Sequence, residues 1–93
     1  MAPGHRVWSE EAIRGLIDLW CRNGRHEKSV PTSEIDGFIK RYPQIDGGAF
    51  DHARVREGLR NQDNIVAGKT SRIGSKLHRD LWKRHGCRGT SRP

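Results

Sequence analysis

Apolar residues recur at helical spacing in several separate stretches of this sequence. The pattern i, i+3, i+4, i+7 occurs in the set Ile13, Leu16, Ile17 and Trp20, and again in the set Ile35, Phe38, Ile39 and Tyr42. Residues at this spacing share one face of a helix, so each set predicts a helix with one buried side. Further along, Ile73, Leu77 and Leu81 repeat every four residues. No stretch alternates as a strand would, and the sequence therefore predicts an all-α protein.

Capping residues give the expected limits of the helices. Ser9 and Asp51 are good N-caps, and Thr32 or Ser33 is expected to cap the second helix. Asn23-Gly24, Pro43 and Gly86 are typical helix ends. These signals predict helices near residues 9–23, 33–42, 51–62 and 70–85, with Ile65 and Val66 in the link before the last helix. The expected fold is a small four-helix bundle of helix-turn-helix type, with a basic C-terminal helix.

The core is expected to come from all four helices and from the residues just before two of the caps. Trp8 and Phe50 precede their caps and should pack on the fourth helical residue, as in a hydrophobic staple. The expected core consists of Trp8, Ile13, Leu16, Ile17, Trp20, Ile35, Phe38, Ile39, Phe50, Val55, Leu59, Ile73, Leu77 and Leu81.

Length and composition limit the class of protein. A chain of 93 residues has room for one domain. We expect that domain to span residues 1–86, followed by a flexible basic tail at 87–93. No window approaches 18 apolar residues, so neither a signal peptide nor a membrane span is expected. With Cys21 and Cys87 as the two cysteines, we expect reduced thiols in an intracellular protein of the nucleus, or of the bacterial cytoplasm or nucleoid.

The charge of the chain is concentrated near its C-terminus. Residues 69–93 carry eight Lys and Arg against one acid, whereas residues 1–68 carry ten of each sign, so the whole net charge of +7 lies in the last 25 residues. Arg72, Lys76, Arg79 and Lys83 follow at spacings of four, three and four, which places them along one face of the predicted last helix. A surface so polarised attracts polyanions.

Other chemistries find little support. Gly68-Lys69-Thr70 is similar to the end of a phosphate-binding loop, but that motif requires glycine where the chain has Asp63. The Cys and His residues do not have the spacing of a zinc finger, and His78 is expected to be a polar surface residue. The sequence shows no arrangement of residues typical of a catalytic site, and so small a domain can hardly form a deep substrate pocket. We expect no enzymatic activity, no metal, no cofactor and no small-molecule substrate.

The cations match the chemistry of double-stranded DNA. Arg and Lys neutralise phosphates, Arg can pair with guanine in the major groove, and hydroxyl groups complete backbone contacts. In a helix-turn-helix, the N-terminal half of the second helix faces the base edges. The expected DNA-binding residues of the last helix are Lys69, Thr70, Ser71, Arg72, Ser75, Lys76, Arg79, Lys83 and Arg84, with Arg54, Arg56 and Arg60 of the preceding helix on the phosphates.

Both ends of the chain resemble Myb/SANT-like helix-turn-helix domains. Trp8-Ser9-Glu10-Glu11, followed by Leu16 and Leu19-Trp20, is similar to the opening of that family, and the segment Thr70 to Leu81 is similar to its last, DNA-reading helix. The resemblance implies a DNA-binding helical bundle and a role in transcription regulation. It leaves open which helix pairs with the last one.

Two alternative functions remain at the level of sequence. A protein-interaction module would dock Leu77, Leu81 and Trp82 on a partner and would use the cations for steering. An RNA-binding domain would need aromatic residues free to stack on bases, and most of the six aromatic residues are assigned to the core.

Overall fold

The computed structural model describes residues 8–68 and 76–87. In these ranges the chain forms α1 (Glu10–Arg22), α2 (Thr32–Arg41), α3 (His52–Val66) and α4 (Lys76–His85), with a short 3-10 helix at Glu27–Ser29 between α1 and α2. The described residues contain no strand, and Pro43 and Ala49 form an isolated bridge across a turn. The prediction of a small all-α four-helix domain is confirmed. None of the described helices is long and apolar enough to cross a bilayer.

Two helices begin at the caps that the sequence predicts. The hydroxyl of Ser9 accepts a hydrogen bond of 3.0 Å from the backbone N–H of Ala12. The carboxylate of Asp51 accepts one of 2.8 Å from the N–H of Arg54. Each cap satisfies a donor that the first turn of a helix leaves without an intrahelical partner. α1 and α3 therefore start where local chemistry dictates.

The other predicted limits need correction. Pro31, not Thr32 or Ser33, is the N-cap of α2, and it makes no side-chain capping bond. α3 continues to Val66, four residues past its expected end. Its polar last turns persist because two of their side chains bond to other helices, as described below. Ile65 and Val66 consequently belong to α3, and Val66 is 45% exposed instead of filling the core.

The core forms two adjoining clusters. The larger one joins α1, α2 and α3 with Val30 and Phe50, and the smaller one consists of Ile13, Ile17 and Leu81. Trp8 packs against both, as a staple at the start of α1 should. Of the residues expected in the core, Trp8, Ile39 and Leu77 are only partly buried, and Ile73 lies outside the described residues. Ala12, Leu19 and Val30 are buried members that the prediction omitted.

The expectation of reduced thiols is wrong, because Cys21 and Cys87 form a disulfide. Cys21 lies in the last turn of α1, and Cys87 follows Gly86 just beyond α4. α4 packs back on α1, which brings the two Cα atoms to 5.7 Å although they are 66 positions apart in the sequence. Cys87, placed by the sequence in a flexible tail, is thus bonded to the domain. The tail residues 88–93 lie outside the described part of the chain.

Asp63 ties the connection between α1 and α2 to α3. Its carboxylate accepts a hydrogen bond of 2.7 Å from the indole N–H of Trp20 and is 3.2 Å from the backbone nitrogen of Glu27, which donates to it. Glu27 is 8% exposed and Val30 is 1% exposed. The connection between α1 and α2 therefore has two buried residues, because Asp63 holds it against α3.

Replacing Asp63 by alanine should lower the free energy of unfolding by about 1–3 kcal/mol, because two N–H groups would lose their acceptor in partly buried positions. Chemical denaturation would measure the change. Glu57→Ala is the matched control, since Glu57 is an exposed acid of the same helix. Equal effects of the two substitutions would contradict a structural role for Asp63.

Candidate nucleic-acid interface

One face of α4 is packed against α1 and α3. Leu81 is 1% exposed and contacts the cluster of Ile13 and Ile17. The ring of Trp82 meets that of Trp20 edge-on, with 5.6 Å between centroids. These contacts determine the rotation of α4 about its axis and hence which side chains point away from the domain.

The exposed surface of α4 carries cations. Lys76, Lys83 and Arg84 are exposed, and Arg79 is partly exposed. Lys76, Arg79 and Lys83 follow at spacings of three and four, so they lie along one side of the helix. We call these four residues the basic face of α4. For the described part of the helix, the outward direction expected from the sequence agrees with the structure.

The positive charges of the basic face act on the acidic residue of α4. Asp80 is the acidic residue of α4, and Lys76 donates a hydrogen bond of 3.1 Å to its carboxylate. That bond lowers the pKa of Asp80, and the charges of Lys76, Lys83 and Arg84 lower it further. Lys83 and Arg84 form no ion pair within the described residues. Asp80 therefore offsets part of the positive charge and leaves Lys83 and Arg84 available to a polyanion.

His78 is a buried residue that the sequence analysis misplaced on the surface. It is 5% exposed, and its Nε2 lies 2.8 Å from Oε1 of Gln62 on α3. Burial, together with the charge of Arg79, lowers its pKa to about 4. The overlooked signal was its spacing, because His78 precedes Leu81 by three positions and Trp82 by four and so shares their face.

The three arginines of α3 do not form a common surface. Positions two apart on a helix differ by about 200° in direction, which separates Arg54 from Arg56. Arg56 donates a hydrogen bond of 2.9 Å to the carbonyl of Glu27, and its side chain is 27% exposed. Arg60 lies 4.0 Å from the carboxylate of Glu27. The expectation that Arg56 points outward is wrong, because it stabilises the connection between α1 and α2; Arg54 and Arg60 are exposed.

The structure describes only the C-terminal part of the predicted recognition helix. Five of its expected DNA-binding residues lie outside the described residues: Lys69, Thr70, Ser71, Arg72 and Ser75. Lys76, Arg79, Lys83 and Arg84 are brought together on α4. Within the described residues, α4 packs on α1 through Leu81 and Trp82 and reaches α3 through His78.

No family model, curated protein or solved structure matched this chain. The resemblance to Myb/SANT-like domains consequently stays a prediction from the sequence.

A cleft of about 730 Å³ lies beside the C-terminal end of α4. Its wall on α1 includes Glu11, Arg14 and Asp18, and Tyr42 lies across from them. The ring of Tyr42 lies so close to Gly15 that a Cβ there would come within 2.5 Å of it. Charges of both signs line this cleft, and Asp18 is already paired with Arg22 at 2.8 Å. The cleft therefore lacks the uniform charge of the basic face.

Within the described residues, no group of three or more His, Cys, Asp or Glu side chains could hold a metal ion.

The surface expected for a protein-interaction module is largely inside the fold. Leu81 is buried, Trp82 packs on Trp20, and Leu77 is partly covered by the smaller core cluster. Their structural role leaves little apolar surface for a partner on α4.

Proposed function

We propose that the chain binds double-stranded DNA through the basic face of α4, as the DNA-binding part of a transcription regulator or another DNA-targeting factor. This proposal rests on the fact that α4 has one buried apolar side and one exposed cationic side. Its apolar side is committed to the core through Leu81, while Lys76 and Lys83 remain exposed on the other side and Arg84 is exposed at the end of the helix. A rigid helix with cations on its free face suits the width of the major groove and the charge of its phosphates.

The residues of this face have different roles in the proposal. Lys83 and Arg84, near the end of the helix, contact phosphates and supply affinity without sequence preference. Arg79, with Arg72 before the described part of α4, reads base edges. An arginine that pairs with guanine contributes about 1–3 kcal/mol of discrimination against the wrong base. Arg72→Ala and Arg79→Ala should therefore weaken binding to the preferred site more than binding to random duplex.

Changing charge on the basic face should change the salt dependence of duplex binding. Each phosphate contact releases counterions, so Lys83→Ala should weaken binding to all duplexes and reduce the slope of log K against log salt by about one. Asp80→Asn should have the opposite effect on affinity, because it removes a negative charge from the same face. Fluorescence anisotropy with labelled duplex across a salt series measures both.

Lys40→Ala provides the matched control, since Lys40 is an exposed lysine in the last turn of α2. It removes the same charge from a different surface and should leave the slope nearly unchanged. Equal losses for Lys40→Ala and Lys83→Ala would mean that net charge alone attracts DNA. Tighter binding to structured RNA than to duplex DNA, at the same salt, would favour the RNA alternative.

A further inference from the structure

The Cys21–Cys87 disulfide lies at the base of the proposed DNA-binding helix. It joins the last turn of α1 to the residue that follows Gly86, just past the end of α4. Both cysteines are partly exposed, and both pack, as Trp82 does, against the larger core cluster. The bond therefore lies at the partly exposed edge of the core, where any loosening of it acts directly on the packing of α4.

The described part of α4 is attached to the rest of the domain by several side chains. Its contacts to the domain include Leu81 in the smaller core cluster, the edge of Trp82 on Trp20, and the bond of His78 to Gln62. The disulfide adds the covalent attachment at its C-terminal end.

We propose that this disulfide is a redox switch of the basic face, which a dithiol reductant opens. One thiolate of the reductant attacks a protein sulfur, and the other protein sulfur leaves as a thiolate. The second thiol of the reductant then displaces the first protein sulfur. The reductant becomes a disulfide, and the protein gains two electrons and two protons as the thiols of Cys21 and Cys87.

Opening the bond frees the end of α4 from α1. Lys83 and Arg84 lie on the last turn before Cys87, so they lose their fixed position relative to the rest of the basic face. A ligand that needs the docked helix then binds more weakly, in proportion to the fraction of molecules in which α4 is docked. The effect on DNA rests on the proposed function, whereas the release of α4 does not.

Two measurements on the same protein test the switch. Duplex affinity is compared before and after incubation with dithiothreitol, and we expect roughly tenfold weaker binding after reduction, as when α4 is docked about one-tenth of the time. Hydrogen exchange is measured in parallel for the amides of α4, and it should become faster on reduction while the amides of α3 stay protected. Circular dichroism verifies that the reduced domain remains helical.

The double variant Cys21→Ser/Cys87→Ser is the control. It should bind DNA as the reduced protein does and should not respond to dithiothreitol. Unchanged hydrogen exchange in α4 on reduction would overturn the switch. The switch would also be overturned if the oxidised and the reduced protein both bound duplex with equal affinity. Faster exchange of α4 in a chain whose oxidised form does not bind duplex would instead overturn the proposed DNA function and leave the release of α4 standing.

Discussion

Replacing Leu81 by alanine should lower the free energy of unfolding by about 2–5 kcal/mol, the range for large-to-small changes in a core. Leu81 is the α4 member of the smaller core cluster, and it is only 1% exposed. Its removal would leave Ile13 and Ile17 facing a cavity. Chemical denaturation followed by circular dichroism would measure the change, with the disulfide intact in both proteins.

Leu77→Ala is the matched control for that substitution. Helical spacing alone makes Leu77 and Leu81 equivalent, but Leu77 is only partly buried in the structure. Its replacement should consequently cost less than that of Leu81. Equal losses at the two positions would mean that α4 is rotated about its axis relative to the described packing, and the basic face would then point elsewhere.

The stability of the domain should fall as the pH drops from about 6.5 to about 4. His78 has a lowered pKa of about 4 in the folded protein, against an ordinary value of 6.5. Between these values the unfolded chain takes up a proton at His78 that the folded chain does not bind, so protonation favours unfolding. Above pH 6.5 His78 is neutral in both the folded and the unfolded chain, and the free energy of unfolding is at its full value. Below the folded pKa, the free energy of unfolding is lower by about 3 kcal/mol.

Urea denaturation at a series of pH values would measure this dependence. His78→Gln removes the titrating group while keeping an amide that can bond to Gln62, and the other four histidines of the chain stay in place. The variant should lose less stability than the parent between pH 6.5 and pH 4. Parallel curves for the two proteins would show that His78 is not the group responsible.

Local patterns were sufficient for much of the fold. The apolar stripe of α1 and the caps at Ser9 and Asp51 depend on residues within a few positions of one another, and the structure confirms them. The end of α3 was misjudged because its polar residues read as a helix terminus. Gln62 and Asp63 are kept helical by His78 and Trp20, which lie far away in the sequence.

In the candidate site, too, local patterns were predictable and contacts between distant residues were not. The outward direction of Lys76 and Lys83 follows from helical spacing, and the sequence predicted it. The pairing of Arg56 with Glu27 and the bond between Cys21 and Cys87 join residues 29 and 66 positions apart. Such contacts depend on how α3 and α4 pack back on the start of the chain, which no local pattern encodes.

The disulfide also changes how the domain would transmit mechanical force. A pull on the two termini of the oxidised chain runs along α1 to Cys21, crosses the two sulfur atoms to Cys87, and continues to Pro93. The disulfide closes residues 22–86 into a loop that lies outside this path, so α2, α3 and α4 bear no direct load. The oxidised chain can therefore be drawn out only over α1 and the terminal segments, whereas the reduced chain can be drawn out over its whole length.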